Sequence, residues 1–289
     1  LDLEGKELWR RDLGPYVGIH GSASSPIIAD DLVVLANDQM HPQVMKRYLP
    51  KGASMVPGES FLIAIDRKSG KTRWEIERKT VLAGYSTPCV RQTGRGTELV
   101  FSGTAHGMTG VGLKTGKVNW EIKGILGSRV VGSPQLYQDL VFGSHGVGLS
   151  AQRFVAVRAP KEGGVAKPEV AYNVYQSPPL VPSCLIKDDL LFLWTDSGIV
   201  SCLDAVSGKR YWRERVGGSY YCSPVWIDGR LYCTSKTGEV VVVAAKKTFK
   251  LLAKNPLGEK CFAVPAVANG VMYQRTQTML YSLGGKNKK

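Results

Sequence analysis

The chain has 289 residues, 43% of them hydrophobic, and a formal net charge of +14. This length and composition suffice for one large closed β domain or two small ones, which excludes a disordered chain as the default interpretation. No stretch approaches the ~18 consecutive apolar residues of a membrane-spanning helix, and we expect no transmembrane segment.

The positive charge raises the question of a nucleic-acid partner, because Lys and Arg gain affinity for phosphate by releasing counterions. Its distribution favours a solvated surface instead. Three lysines lie in the C-terminal tail, at Lys286, Lys288 and Lys289. Other charges alternate with acids along one predicted strand, at Arg73, Glu75, Glu77 and Arg78. A functional anionic partner or membrane surface is the alternative, and specific base recognition is not expected.

A turn in which tryptophan follows glycine by four residues recurs along the chain. It occurs at 2–9 (DLEGKELW), 66–74 (DRKSGKTRW), 112–120 (GLKTGKVNW) and 204–212 (DAVSGKRYW). In such a turn the glycine takes a positive φ, the Asp accepts from nearby backbone N–H groups and the Lys stays solvated. An indole wedged between neighbouring sheets would remove ~150–250 Å² from water. The predicted docking residues are Trp9, Trp74, Trp120, Trp212, Asp66, Gly70, Gly116, Asp204 and Gly208.

A small residue followed by proline, or its equivalent, opens an apolar strand six times. These steps are Ser25-Pro26, Thr87-Pro88, Ser133-Pro134, Ser183-Cys184, Ser223-Pro224 and Val264-Pro265. A short polar turn and a second strand follow each step, which is typical of a β-hairpin. A third strand then enters the glycine turn and a fourth carries the tryptophan. Four antiparallel strands per repeat predict an all-β chain, a β-propeller of four-stranded blades.

Six blades are predicted within a single domain, 1–289. Their approximate bounds are 21–78, 84–124, 130–176, 180–217, 220–257 and 261–283 plus 1–13. The sixth blade ends on its third strand, and we expect residues 8–13 to supply the fourth and close the ring. Two repeats, at 158–170 and 244–252, have no tryptophan, so their contacts with the next blade should be weaker or differently packed. No helix is expected.

The six cysteines show no C-x-x-C or adjacent pair, which argues against a zinc site or a redox motif. Each lies in or beside an apolar strand and is expected to be buried and reduced, with one disulfide between neighbouring blades as the alternative. They are Cys89, Cys184, Cys202, Cys222, Cys233 and Cys261.

The repeat resembles the quinoprotein-alcohol-dehydrogenase-like propellers, whose blades carry an A-x-D-x-x-[ST]-G-K-x-x-W docking turn. The resemblance covers nearly the whole chain. It is strongest to the non-catalytic PQQ-like repeat proteins similar to outer-membrane protein assembly factor B. Those relatives close with seven or eight blades, so this chain is either a smaller ring or a fragment that lacks two N-terminal blades. The resemblance implies the periplasm or cell envelope after export. Since the chain opens at Leu1, we expect a processed form or a piece of a longer protein, with the leader not present.

Propeller topology predicts one functional face, because loops between strands two and three and loops between blades emerge on the same side. The blade-to-blade loops contribute His20, Tyr85, Arg129, Tyr220 and Tyr221. The loops between the second and third strands contribute His41, His106, His145, Asp196, Lys236 and Arg275. These residues are the candidate ligand or partner face. The histidines are interpreted as exposed or satisfied by carbonyl groups, with an anionic or polar ligand, or a metal ion, as the alternatives; no residue is assigned as a metal ligand. The long insertion at 37–60 is interpreted as neutral decoration, or alternatively as an interaction element.

No catalytic residue is predicted. Quinoprotein dehydrogenases of the resembled class bind calcium and pyrroloquinoline quinone (PQQ) through inward-facing carboxylates and amides. They also have a catalytic Asp and usually an adjacent cysteine pair, and none of these residues is identifiable in this sequence. The main hypothesis is therefore a non-catalytic scaffold propeller without a cofactor that binds a protein partner. A PQQ- and calcium-dependent dehydrogenase, or another oxidoreductase, is the alternative.

Overall fold

A computed structural model describes residues 1–53, 55–56, 58–148, 150–160 and 167–284. The three tail lysines and most of the turn in the third repeat lie outside these ranges. The chain divides into two compact units. Unit 1 comprises residues 1–147 and 155–171, and unit 2 comprises residues 148–154 and 172–289. No helix in the described ranges is long and apolar enough to cross a membrane.

The strands form six antiparallel sheets, five of four strands and a sixth of three. The first three sheets consist of β1 (Ile27–Ala29), β2 (Leu32–Asn37), β3 (Ser60–Asp66), β4 (Thr72–Arg78), β5 (Cys89–Thr93), β6 (Gly96–Gly103), β7 (Gly107–Gly112), β8 (Val118–Ile122), β9 (Gln135–Tyr137), β10 (Leu140–Val147), β11 (Ser150–Arg158) and β12 (Glu169–Val174). The other three consist of β13 (Leu185–Lys187), β14 (Leu190–Trp194), β15 (Ile199–Asp204), β16 (Arg210–Arg215), β17 (Val225–Ile227), β18 (Arg230–Thr234), β19 (Glu239–Ala244), β20 (Leu251–Pro256), β21 (Ala266–Ala268), β22 (Val271–Arg275) and β23 (Leu280–Gly284). Within each sheet the strands pair in sequence order, which confirms the predicted all-β architecture of four-stranded blades.

Two of the six hairpins that open the sheets turn on the dipeptides Asp228-Gly229 and Asn269-Gly270. Between β17 and β18, Ile227 pairs with Arg230, so only Asp228 and Gly229 make the turn. Both have positive φ, of 45° and 74°. Two consecutive positive φ angles give the turn a twist that matches the flanking strands.

Aromatic side chains pack the sheets against the next glycine turn. The Trp74 indole is buried, and its Nε1 donates to the Leu113 carbonyl at 2.7 Å. Its ring lies against Gly116, where an added Cβ would come within 2.7 Å of Trp74 Cγ. Trp9 docks on the glycine turn of the first sheet in the same way. Its Nε1 donates to Arg67 O at 2.8 Å, and its ring lies against Gly70. A glycine is therefore needed in these turns both for its positive φ and for the space that the ring occupies.

The two repeats without tryptophan differ from each other. In the third repeat Tyr172 takes the docking position: its hydroxyl donates to Ala205 O at 2.7 Å and its ring lies against Gly208. In the fifth, Ala253 pairs with Val242, the register position that Trp212 occupies opposite Cys202. The third repeat thus keeps an aromatic anchor, and the fifth has only a methyl group there.

The expected fourth strand of the last blade is not seen. Residues 1–26 form no strand, and the sixth sheet consists of β21, β22 and β23. The docking side chain of this segment, Trp9, is held by the turn of the first sheet at Arg67 and Gly70.

One short helix, α1 (Pro42–Met45), lies in the insertion, where no helix was expected. Proline at its first position presets a helical φ, and His41 caps it by accepting from the Gln43 N–H at 3.3 Å. The helix is local and short, and so it leaves no apolar periodicity in the sequence.

All six thiols are free, and five of them are buried. Burial raises the pKa of Cys89, Cys202 and Cys222 to about 12. In the unfolded chain these thiols ionise near their ordinary value of 9.0. A thiol with a raised folded-state pKa contributes stability below the unfolded pKa and loses that contribution as the pH rises.

We therefore expect the protein to lose stability between about pH 9 and pH 12. At about pH 10.5, each of these three thiols should lower the free energy of unfolding by about 2 kcal/mol relative to neutral pH. Urea unfolding at several pH values measures this loss. Cys202→Ala lowers stability at every pH through the cavity it creates, but its stability should fall less steeply above pH 9. An unchanged slope in that variant would contradict the assignment.

Candidate functional site

Three predicted residues come together on the loops of unit 1. The Arg129 guanidinium donates from Nη1 to His20 Nε2 at 3.0 Å. The His20 ring lies 5.8 Å from that of Tyr85, whose backbone N–H donates to Val130 O. Because Nε2 accepts this bond, the contact requires a neutral imidazole with its proton on Nδ1. The cluster offers a guanidinium and an imidazole at an accessible position, which suits an anionic or polar group.

The other histidines have separate structural partners. His145 is buried with Nδ1 at 2.8 Å from Ser128 Oγ. His106 places Nδ1 at 2.8 Å from Glu121 Oε1, and its Nε2 accepts from the backbone N–H of Lys79. His41 caps α1. Across the described residues, no three His, Cys, Asp or Glu side chains are arranged to hold a metal ion.

The pKa of Glu121 reflects its partners. Burial opposes ionisation of this carboxyl, but hydrogen bonds from His106 and Lys123 outweigh it and lower the pKa below its ordinary value. The carboxylate therefore stays charged and holds His106 by its Nδ1 proton.

A buried ion pair that the sequence did not reveal lies beneath these loops. Arg78 and Asp38 have side chains only 2% and 3% exposed, and two parallel bonds of 3.0 Å join Nε to Oδ1 and Nη2 to Oδ2. Two glycines make room for the carboxylate: a Cβ at Gly103 would lie 2.5 Å from Asp38 Oδ2, and one at Gly84 3.0 Å from Asp38 Cβ. The expectation that Arg78 belongs to a solvated surface is thus corrected.

The signal for this burial was present in the strand pattern. Trp74, Ile76 and Arg78 alternate along β4, so they share one face of the strand, and that face is buried at Trp74. The mixture of basic and acidic residues along β4 predicted a solvent-exposed strand. The spacing of Arg78 two residues after Ile76 and four after Trp74 predicted instead that Arg78 lies on the buried face. The choice between these two patterns depended on a partner, Asp38, that lies 40 residues away.

A second buried pair anchors another docking tryptophan. Glu98 accepts from Arg91 at 3.1 Å, from Asn119 at 2.9 Å and from the Trp120 indole at 2.8 Å. Arg91 also donates to the carbonyl of Pro160 at 2.8 Å. Each charge is therefore hydrogen-bonded, which offsets the cost of removing it from water.

The insertion forms one wall of a cavity of about 690 Å³ in unit 1. Its polar lining includes His41, Glu59, Glu75, Glu77 and Lys79. Carboxylates, an imidazole and an ammonium group share this space, so the cavity is polar and of mixed charge. Sequence reasoning had placed only His41 in a candidate site.

On the loops of unit 2, adjacent tyrosines have opposite environments. Tyr220 is fully buried and packs edge-on against Trp194 at 5.4 Å, and burial raises the pKa of its hydroxyl. Asp196 accepts from the backbone N–H groups of Leu180 and Val181, at 2.8 and 3.1 Å. These two predicted face residues therefore hold the loops in place and are not free for a partner.

Tyr221 and Lys236 do lie at the surface. Lys236 Nζ lies 4.4 Å from the centroid of the Tyr221 ring, a cation–π contact. The ring of Phe262, which sequence reasoning did not single out, is 6.3 Å from Tyr221, and the residue is 54% exposed. These three residues are named the Tyr221–Phe262 patch. Arg275, the remaining candidate, is also exposed.

The repeats of this chain match the model of a known protein family. The model for outer membrane protein assembly factor BamB matches residues 1–214, 176–251 and 196–283. The chain belongs to this BamB-like family of PQQ-like repeat propellers. No curated protein matches the chain.

Several solved structures share the β-propeller fold of this chain at low sequence identity. BamB from Moraxella catarrhalis is 13% identical with a TM-score of 0.62, over 94% of this chain and 72% of that one. The computationally designed Ika8 protein is 9% identical with a TM-score of 0.64, over 94% and 74%. A quinohemoprotein alcohol dehydrogenase from Pseudomonas putida HK5 is 14% identical with a TM-score of 0.54, over 82% and 42%.

Three acids, Asp38, Glu98 and Asp196, are not available to hold the calcium ion of a dehydrogenase-type calcium–quinone centre. Such a centre needs free carboxylates that converge on the ion. Here Asp38 is engaged by Arg78, Glu98 by Arg91 and Trp120, and Asp196 by backbone N–H groups. The sequence also has no adjacent pair of cysteines.

Proposed function

We propose that this protein is a non-catalytic binding propeller that presents its loops to a protein partner in the cell envelope. The observation that carries this proposal is the difference between acidic and other side chains on the loops. Acidic groups such as Asp38 and Asp196 are engaged in holding the structure, whereas aromatic and cationic groups at Tyr221, Phe262 and Lys236 are accessible. Aromatic side chains are frequent anchors of protein interfaces.

Family membership supports the same proposal. The family description is that of an outer membrane protein assembly factor, which is a role in the envelope. We therefore propose the periplasm or the envelope as the location of this protein, and a function that needs no cofactor. The net charge of +14 would favour association with an acidic partner surface.

Site-specific photo-crosslinking in intact cells tests the proposal. A photoreactive amino acid is placed on the loops, at His20, His106 or Phe262, and as a control at Trp226. Trp226 is 40% exposed but lies beside the β17–β18 turn, at the other end of its sheet. We expect a discrete protein crosslink from loop positions and none from Trp226.

Two results would overturn the proposal. One is the absence of protein crosslinks from every loop position. The other is saturable binding of PQQ with calcium together with dye-linked oxidation of an alcohol or a sugar, which would make the protein a dehydrogenase.

A further inference from the structure

We propose that the Tyr221–Phe262 patch binds an extended acidic peptide segment that carries a large apolar side chain. This inference rests on the proposed function and names the chemistry of the partner at one place on unit 2. The patch combines two exposed rings with a lysine that forms no salt bridge among the described residues.

The apolar part of the patch is a pair of rings held in place by the backbone. Backbone N–H groups of Lys236 and Cys261 donate to Ser219 O and Lys236 O, at 2.7 and 3.3 Å. These bonds tie the loop of Tyr221, the loop of Lys236 and the loop of Phe262 together. The rings are therefore positioned before a partner arrives, which lowers the entropy cost of binding.

A neighbouring apolar side chain adds to the exposed apolar surface of the Tyr221–Phe262 patch. Val264, two residues beyond Phe262, is 47% exposed, and Tyr221 is 36% exposed. A Phe or Leu side chain from a partner could pack beside these groups and remove them from water. Such buried aromatic contacts are typical interface hot spots.

The charge around the rings is positive. Arg275 is exposed and Lys260 is next to the patch in sequence, and within the part of the chain that the structure describes neither they nor Lys236 form a salt bridge. Two acids lie within three residues of the patch in sequence: Glu239 pairs with Lys254 at 3.5 Å, and the Glu259 carboxylate accepts from the hydroxyls of Thr276 and Thr278, at 2.7 and 2.9 Å, and keeps its charge. A partner that brings carboxylates would thus meet three cations without a salt bridge, against the one carboxylate, Glu259, that no cation pairs with among the described residues.

The geometry favours a peptide over a stacked nucleic-acid base. Lys236 Nζ already lies over the Tyr221 ring, and the two rings are tilted by 35° and do not form a parallel slot. A base would have to displace the ammonium group in order to stack on Tyr221. A carboxylate can instead accept from the remaining N–H groups of that ammonium while an apolar side chain contacts Phe262.

Fluorescence anisotropy with a defined probe tests this inference. The probe is a short fluorescein-labelled peptide of glutamates with one phenylalanine and one leucine, titrated with the full chain. Lys236→Glu and Phe262→Ala should each weaken binding about tenfold, as expected for a hot-spot residue, and added salt should weaken it further.

The chain offers a matched control. Lys187 Nζ lies 5.0 Å from the centroid of Trp226, a second exposed lysine–aromatic pair on the same unit. Lys187→Glu and Trp226→Ala should leave probe binding unchanged. Thermal melting of all four variants establishes that each is folded.

Equal loss in patch and control variants would overturn the inference, as would equal binding of a probe with lysine in place of glutamate. Preference for an oligonucleotide or an anionic vesicle over the acidic peptide would also overturn it. If loop crosslinks in cells persist while the acidic probe fails to bind, the patch assignment is wrong and the binding function stands. If both fail, the proposed function is wrong as well.

Discussion

Arg78→Met is expected to lower the free energy of unfolding by about 3–5 kcal/mol, because it leaves the Asp38 carboxylate buried without its partner. Both side chains are almost fully buried, so water cannot replace the two lost bonds. Urea unfolding followed by tryptophan fluorescence measures the loss. Since Asp38 packs against Gly84 and Gly103, the loop that contains Gly84 and the end of β6 at Gly103 should loosen in the variant.

The same strand provides the control. Arg73 pairs with Asp66 at 3.0 Å, but its side chain is 51% exposed, and Arg73→Met should leave the free energy of unfolding nearly unchanged. The double variant Arg78→Met with Asp38→Asn removes both charges and should recover part of the loss. Equal stability of Arg78→Met and Arg73→Met would show that the buried pair contributes nothing.

Trp74→Ala is expected to lower the free energy of unfolding by about 3–5 kcal/mol. The indole packs with Leu99, Val111 and Leu113 between the first and second sheets of unit 1, and its loss leaves a cavity there. It also removes the hydrogen bond to the Leu113 carbonyl. Denaturant unfolding and the melting temperature both report the change.

Trp226→Ala is the matched comparison for Trp74→Ala. Trp226 is 40% exposed and is not part of a docking turn, so its removal should cost less than about 1 kcal/mol. A loss at Trp74 no larger than that at Trp226 would argue against the docking role of the indole.

The repeating features of the fold followed from local sequence. Asp66 Oδ1 accepts from Ser69 N at 2.8 Å, and Asp204 Oδ1 accepts from Ser207 N at the same distance. Each bond spans three residues, so a short motif contains both partners. Hairpin turns such as Asp228-Gly229 are equally local, and the order of the strands could be predicted from them.

The candidate site was predictable only in part, because its contacts join distant residues. The positions of His20, Tyr85 and Arg129 on loops between sheets followed from blade topology, but the bond between His20 and Arg129 spans 109 residues. Phe262 was missed because a single exposed aromatic residue in a loop carries no periodic signal. Only its position 6.3 Å from the Tyr221 ring identifies it as part of a surface patch.

Local chemistry in the chain, namely the spacing of Gly and Asp, was enough to specify sheets and turns, since the turn contacts close within one repeat. The same spacing marked the docking tryptophans, although Trp9 and Trp74 dock on the turn of the following repeat. Which polar groups are buried was settled by packing between repeats. Tyr220 and Tyr221 are neighbours in sequence, yet one is enclosed by Trp194 and the other faces solvent. Likewise, Arg78 is a core residue because a carboxylate and a glycine from other strands and loops surround it. Burial of a charge depends on partners brought together in three dimensions, and no motif within one strand records them.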